Sequence, residues 1–97
     1  MKLDLNFPPF QEDLFSLEKK ELYPLFKTLR TLSRMDFDQL RRSSGLNLEQ
    51  IKTMKTRKGN PVYSIRITRS FRATLSIEGD YLRFISLHPD HDSAYKK

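Results

Sequence analysis

The sequence predicts an α+β domain, with an N-terminal strand and a two-helix hairpin packed on one face of a mostly antiparallel, twisted sheet of four to five strands. Three observations predict it. From Val62 onwards, three short runs alternate apolar and polar residues with period two, the signature of half-buried antiparallel strands. Between Phe10 and Leu32 apolar residues recur instead at spacings of three and four, the helical period. Ahead of both, Leu3, Leu5 and Phe7 alternate with Asp4 and Asn6.

Taken in order, the opening strand ends at Pro8 and Pro9, which cannot donate to a ladder. A first helix carries Phe10, Leu14, Phe15 and Leu17 near one stripe, and Gln11, Glu12 and Asp13 fall in its first turn, where acids suit the helix dipole. A second helix carries Leu22, Leu25, Phe26, Leu29 and Leu32. Pro24 is acceptable only near its start, so the break is expected around Lys19 to Tyr23. These stripes read as core, because the sheet needs a cover on one face. Asp36 can cap a further short turn through Phe37 and Leu40, ending before Gly45. Leu46, Leu48 and Ile51 suggest a strand leading into the basic loop KTRKGNP, where Gly59, Asn60 and Pro61 mark a turn.

The register of the remaining strands follows from burial. With Thr68, Arg69 and Ser70 as a three-residue loop, Ile67 pairs with Phe71, Ile65 with Ala73, and Arg66 falls opposite Arg72. A loop one residue longer or shorter sets hydrophobic residues beside arginines on both faces. After Ile77 a two-residue Gly79-Asp80 hairpin pairs Ile77 with Leu82 and Leu75 with Phe84, which sends Arg83 to the arginine face. Strict alternation sends Ile85 and Leu87 there too. The C-terminal segment would then cover them and carry His91 and Tyr95 towards the arginines. Two like charges directly opposite cost a few tenths to about 1 kcal/mol. Either both guanidinium groups splay into water or the face holds something anionic.

Ninety-seven residues make one domain, 1–97, with room for a single modest core. No cysteine is present, which excludes disulfides and thiolate metal sites, and His88 and His91 alone are a poor basis for zinc. No apolar run approaches the roughly 20 residues of a membrane span, and MKLDLNFPPF lacks the apolar block of a signal peptide. A soluble, cytoplasmic protein with no membrane partner, metal or cofactor is expected. The net charge of +6 is concentrated: Lys52, Lys55, Arg57, Lys58, Arg66, Arg69 and Arg72 lie between Glu49 and Glu78 with no acid among them. Such a local field suits a polyanion or an acidic protein.

No Gly-rich phosphate loop, Ser-His-Asp context or facing carboxylate pair is recognisable. Arginine, lysine, histidine and tyrosine remain, and these suit phosphodiester chemistry: arginine offsets transition-state charge and histidine trades a proton near neutral pH. RNA is the more natural target than DNA, since its 2′-hydroxyl is an internal nucleophile.

The order of elements, with YSIRI, FRATL and a terminal HDSAY, resembles the RelE/ParE superfamily of toxins from bacterial type II toxin-antitoxin systems. The resemblance spans nearly the whole chain by pattern, and its specific part runs from Val62 to Tyr95. It implies a small RelE-like domain that, in the RelE branch, cleaves messenger RNA in the ribosomal A site and is silenced by a cognate antitoxin. In the ParE branch the target is DNA gyrase. By the same resemblance Arg66 and Arg72 are the phosphate-binding and transition-state arginines, and Tyr95 is the aromatic that orients the nucleotide. His91 is similar to the general acid of some members. Lys52, Lys55, Arg57, Lys58, Arg69 and Arg83 would grip the RNA. In those members, however, the histidine sits beside the tyrosine nearer the chain end, whereas three residues separate His91 from Tyr95 here. His91 therefore reads as a general acid or as a surface group pinning the tail, Tyr95 also as a core anchor, and His88 as structural. A non-enzymatic module, either a gyrase inhibitor or an RNA-binding protein, is the alternative function.

Overall fold

The computed structural model describes residues 1–89. Its elements are β1 (Lys2–Asp4), α1 (Pro8–Phe15), α2 (Lys19–Ser33), α3 (Phe37–Arg42), β2 (Glu49–Lys55), β3 (Pro61–Arg66), β4 (Arg72–Glu78) and β5 (Tyr81–His88). The five strands form one sheet in the order β1-β5-β4-β3-β2, in which β1 runs parallel to β5 and the other neighbours are antiparallel. The expected α+β architecture is the one observed. His91 and Tyr95 lie outside the described residues.

The helix boundaries differ from expectation for local reasons. Pro8 and Pro9 occupy the first positions of α1, where no N–H is needed. Gln11, Glu12 and Asp13 therefore lie beyond the first turn. The second helix starts at Lys19, a few residues earlier than expected, because Glu18 and Glu21 form a capping box in which the Glu21 carboxylate accepts from the Glu18 N–H at 2.8 Å. Pro24 then falls inside α2. The cap and the buried stripe of Leu25, Leu29 and Leu32 outweigh the helical bond it removes. Asp36 caps α3 as expected, and its carboxylate accepts from Gln39 N at 2.8 Å.

Helices and sheet meet in one core, where Phe10, Leu25, Leu32 and Leu40 pack with Ile65, Leu75, Leu82 and Phe84. The Phe10 and Phe84 rings lie 5.5 Å apart. Both hairpin registers match the sequence expectation. Ile65 pairs with Ala73 and Arg66 with Arg72; Ile77 pairs with Leu82, Leu75 with Phe84 and Ser76 with Arg83. Gly79, at φ +62°, takes the left-handed position that the tight turn demands. Leu46 and Leu48 precede β2 rather than opening it. Leu46 is buried, and its carbonyl accepts the Arg66 N–H at 2.7 Å.

One expectation is overturned. The β4–β5 pairing shifts between Thr74 and Leu75, so Thr74 faces Ser86, Ala73 faces Leu87 and Arg72 faces His88. Ile85 is the extra residue of this bulge. The parity of β5 is reset, Leu87 enters the core rather than the arginine face, and it needs no cover from the tail. Ile85 stays half-buried.

The bulge is tied down by α1. Because β1 pairs with β5 only from Tyr81 to Arg83, the upper half of β5 has no strand on that side among the described residues. There the Asp13 carboxylate accepts the Leu87 N–H at 2.9 Å. A charged acceptor of this kind contributes about 1.5 to 3 kcal/mol. Asp13→Ala is therefore expected to lower the unfolding free energy by about 1.5 to 3 kcal/mol in urea titrations, and to accelerate amide exchange at Leu87 more than at Leu75.

Candidate functional site

The sheet face away from the helices carries the polar half of each alternating strand. Three rows of paired residues cross it. Arg66, Arg72 and His88 form one row on β3, β4 and β5. Glu49, Ser64, Thr74 and Ser86 form the next. Ser76, Arg83 and Asp4 lie in the third.

Arg72 is the centre of this arrangement. Its Nη2 donates to Ser64 Oγ at 2.9 Å and to Glu49 Oε1 at 3.2 Å. Asn47 Nδ2 holds the same carboxylate oxygen at 2.9 Å. On the other side of Arg72, His88 Nε2 lies 2.9 Å from Ser86 Oγ, which in turn bonds to Thr74 Oγ1. Each polar residue thus fixes the rotamer of its neighbour. A cleft of about 580 Å³ opens over them, walled by Arg72, His88, Ser86, Arg69 and Met54 among others.

The residues anticipated from sequence are dispersed unevenly around this cleft. Arg72 and Arg69 line it, and Arg66 is exposed at the end of β3 beside Arg72 without lining it. Lys52 and Lys55 are exposed on β2, and Arg57 and Lys58 are exposed in the turn between β2 and β3. That turn closes as expected, with Gly59 at φ +83° and Gly59 N–H donating to the Thr56 carbonyl at 2.9 Å. Arg83 faces the arginine side but is held at the far edge, with Nε 3.0 Å from Asp4 and Nη1 3.5 Å from Glu78. It is not brought together with Arg72.

Two residues beside Arg72 were not assigned to the site from the sequence. His88, read there as structural, stands opposite Arg72 because of the β5 bulge. The signal was present: Phe84 and Leu87 are three apart in a strand that otherwise alternates, and two core residues at that spacing require an inserted residue. Glu49 is the other. Nothing local marks it, since it meets Arg72 across 23 residues of chain.

No sequence-family description matches this chain, and no curated protein matches it. Its fold does resemble a solved structure, that of a copper-bound point mutant of a toxin from Helicobacter pylori. The two share 18% identity with a TM-score of 0.51, over 96% of this chain and 97% of the other. The likeness is one of fold: this chain shares the α+β architecture of that structure. Among the described residues no group of three or more His, Cys, Asp or Glu side chains is placed to hold a metal, and no helix is long and apolar enough to cross a membrane.

The Arg72–Glu49 ion pair is part-exposed, with side-chain exposures of 34% and 59%. Water screening limits such a pair to about 0.2 to 1 kcal/mol. A double-mutant cycle of Arg72→Ala and Glu49→Gln is expected to give a coupling in that range, falling as salt rises. A coupling above about 2 kcal/mol would mean that the pair is a structural support and not a loosely held one.

Proposed function

We propose that this protein is the toxin of a type II toxin-antitoxin system, an endoribonuclease of RelE type that cleaves messenger RNA, on the ribosome, in the cytoplasm. The observation that carries the reading is Arg72, held in a cleft between a histidine and a carboxylate. Cleavage within RNA needs three things: removal of the 2′-hydroxyl proton, stabilisation of charge on the phosphorus oxygens, and a proton for the departing 5′-oxygen. In this reading Glu49 takes the first proton, Arg72 and Arg66 face the phosphate, and His88 supplies the second. The 2′-oxygen bonds to phosphorus as the P–O5′ bond breaks, leaving a 2′,3′-cyclic phosphate and a 5′-hydroxyl.

The resting contact between Arg72 and Glu49 fits this scheme. An arriving phosphate competes for the guanidinium and frees the carboxylate to act as a base. Lys52, Lys55, Arg57, Lys58 and Arg69 supply a field that steers the RNA backbone to the cleft. Arg83, already paired, contributes less to that field. Tyr95 keeps the nucleotide-orienting role that the resemblance implies, while the proton-donor role that the resemblance implies for His91 passes in this reading to His88. A cognate acidic antitoxin covers the same basic surface.

Induced without a partner, the protein should stop incorporation of labelled amino acids before that of thymidine; the reverse order would favour the gyrase-inhibitor reading. In cleavage of ribosome-bound messenger, Arg72→Ala should lower the rate about a hundred- to a thousand-fold while the melting temperature stays near wild type. His88→Ala should lower it about a hundred-fold or more, and by more than His91→Ala. Equal activity of the His88→Ala and wild-type proteins would remove His88 from the site.

Association with the antitoxin should slow as ionic strength rises, because steering by exposed charges is screened beyond about 10 Å at 0.1 M salt. A stopped-flow association rate that ignores salt would place the partner elsewhere.

A further inference from the structure

The pairing of β2 with β3 breaks in the middle. Ile51 lies opposite Val62 and Lys55 opposite Pro61, so one step along β3 answers four along β2, and Lys52, Thr53 and Met54 have no residue facing them. Such a break loosens an edge strand, and lysines in it fend off pairing with other chains. Edge protection accounts for Lys52 and Lys55. It does not account for Met54.

Continuing the alternation from Ile51, Met54 would point towards the helix side of the sheet. The three-residue insertion resets the parity, and Met54 instead joins Ile51 in the wall of the cleft that holds Arg72 and His88. It remains 44% exposed there. At the edge of an otherwise polar, cationic cleft the two apolar side chains stand together, Ile51 half-buried and Met54 exposed. A flexible thioether packs well against aromatic rings and tolerates rings of different size.

We infer that Ile51 and Met54 form a nucleobase subsite, on which the base next to the scissile phosphate packs while Arg72 holds the phosphate. The inference rests on the RNA-cleaving reading and adds where the base goes. Packing on an unbranched side chain, without a hydrogen-bonding edge, makes the subsite tolerant of both purines and pyrimidines. Recognition there depends on the ring being present more than on its identity.

The protein has three methionines, Met1, Met35 and Met54, so methyl-labelled methionine gives a sparse NMR spectrum in which Met54→Leu assigns the relevant signal. The probes are two 2′-O-methyl trinucleotides, uncleavable by 2′-hydroxyl attack, one with all its bases and one abasic at the central position. The Met54 methyl should shift with the complete trinucleotide and stay unmoved with the abasic one, while Met35 stays unmoved with both. Met54→Ala should weaken binding of the complete trinucleotide about two- to tenfold and leave the abasic one unchanged, with Met54→Leu restoring most of the loss. Equal binding of the two probes, or an unaffected Met54→Ala protein, overturns the subsite and leaves the RNA reading standing. Failure of the wild-type protein to bind either probe overturns both.

Discussion

Placement of the site rests on the register of β3 against β4. With Ile65, Ala73 and Leu75 buried against the helices, alternation leaves Arg66 and Arg72 no choice but the opposite face. A slip by one residue would drive arginines into the core and expose the isoleucine, so the register is held by burial. The like-charge pair is a consequence of that constraint, costing a few tenths to about 1 kcal/mol. Glu49 and Ser64 reduce the cost at Arg72, while Arg66 at the strand end can turn into water.

Two irregularities then turn an ordinary polar sheet face into a cleft. The β5 bulge keeps Leu87 in the core and delivers His88 beside Arg72. The β2 irregularity delivers Met54 on the far wall. Regular strands would have placed neither residue there. Asp13 stabilises the first of these departures by accepting the Leu87 backbone N–H beyond the end of β1, which couples the helix layer to the geometry of the site.

Charge is arranged with the same economy. The acids that touch the open face are spent unequally: Asp4 and Glu78 neutralise Arg83 at one edge, whereas Glu49 makes only a part-exposed contact with Arg72. The basic segment from Lys52 to Arg72 is thus left able to attract an anion at one end of the face and not at the other.

The sequence by itself determined the α+β class, the two hairpin registers, the cap at Asp36 and the placement of Arg66, Arg72 and Arg83 on one face. All of these follow from periodicity and turn chemistry acting over a few residues. Only the tertiary structure decided that Arg83 is tied to Asp4, 79 residues away in sequence, and that Arg72 meets Glu49. It alone also turned His88 into the cleft and Leu87 out of it. Contacts between residues far apart in the chain leave no local pattern. A bulge changes the parity of everything beyond it, so an alternation read correctly up to Phe84 gives the wrong face from Ser86 onwards unless the inserted residue is recognised.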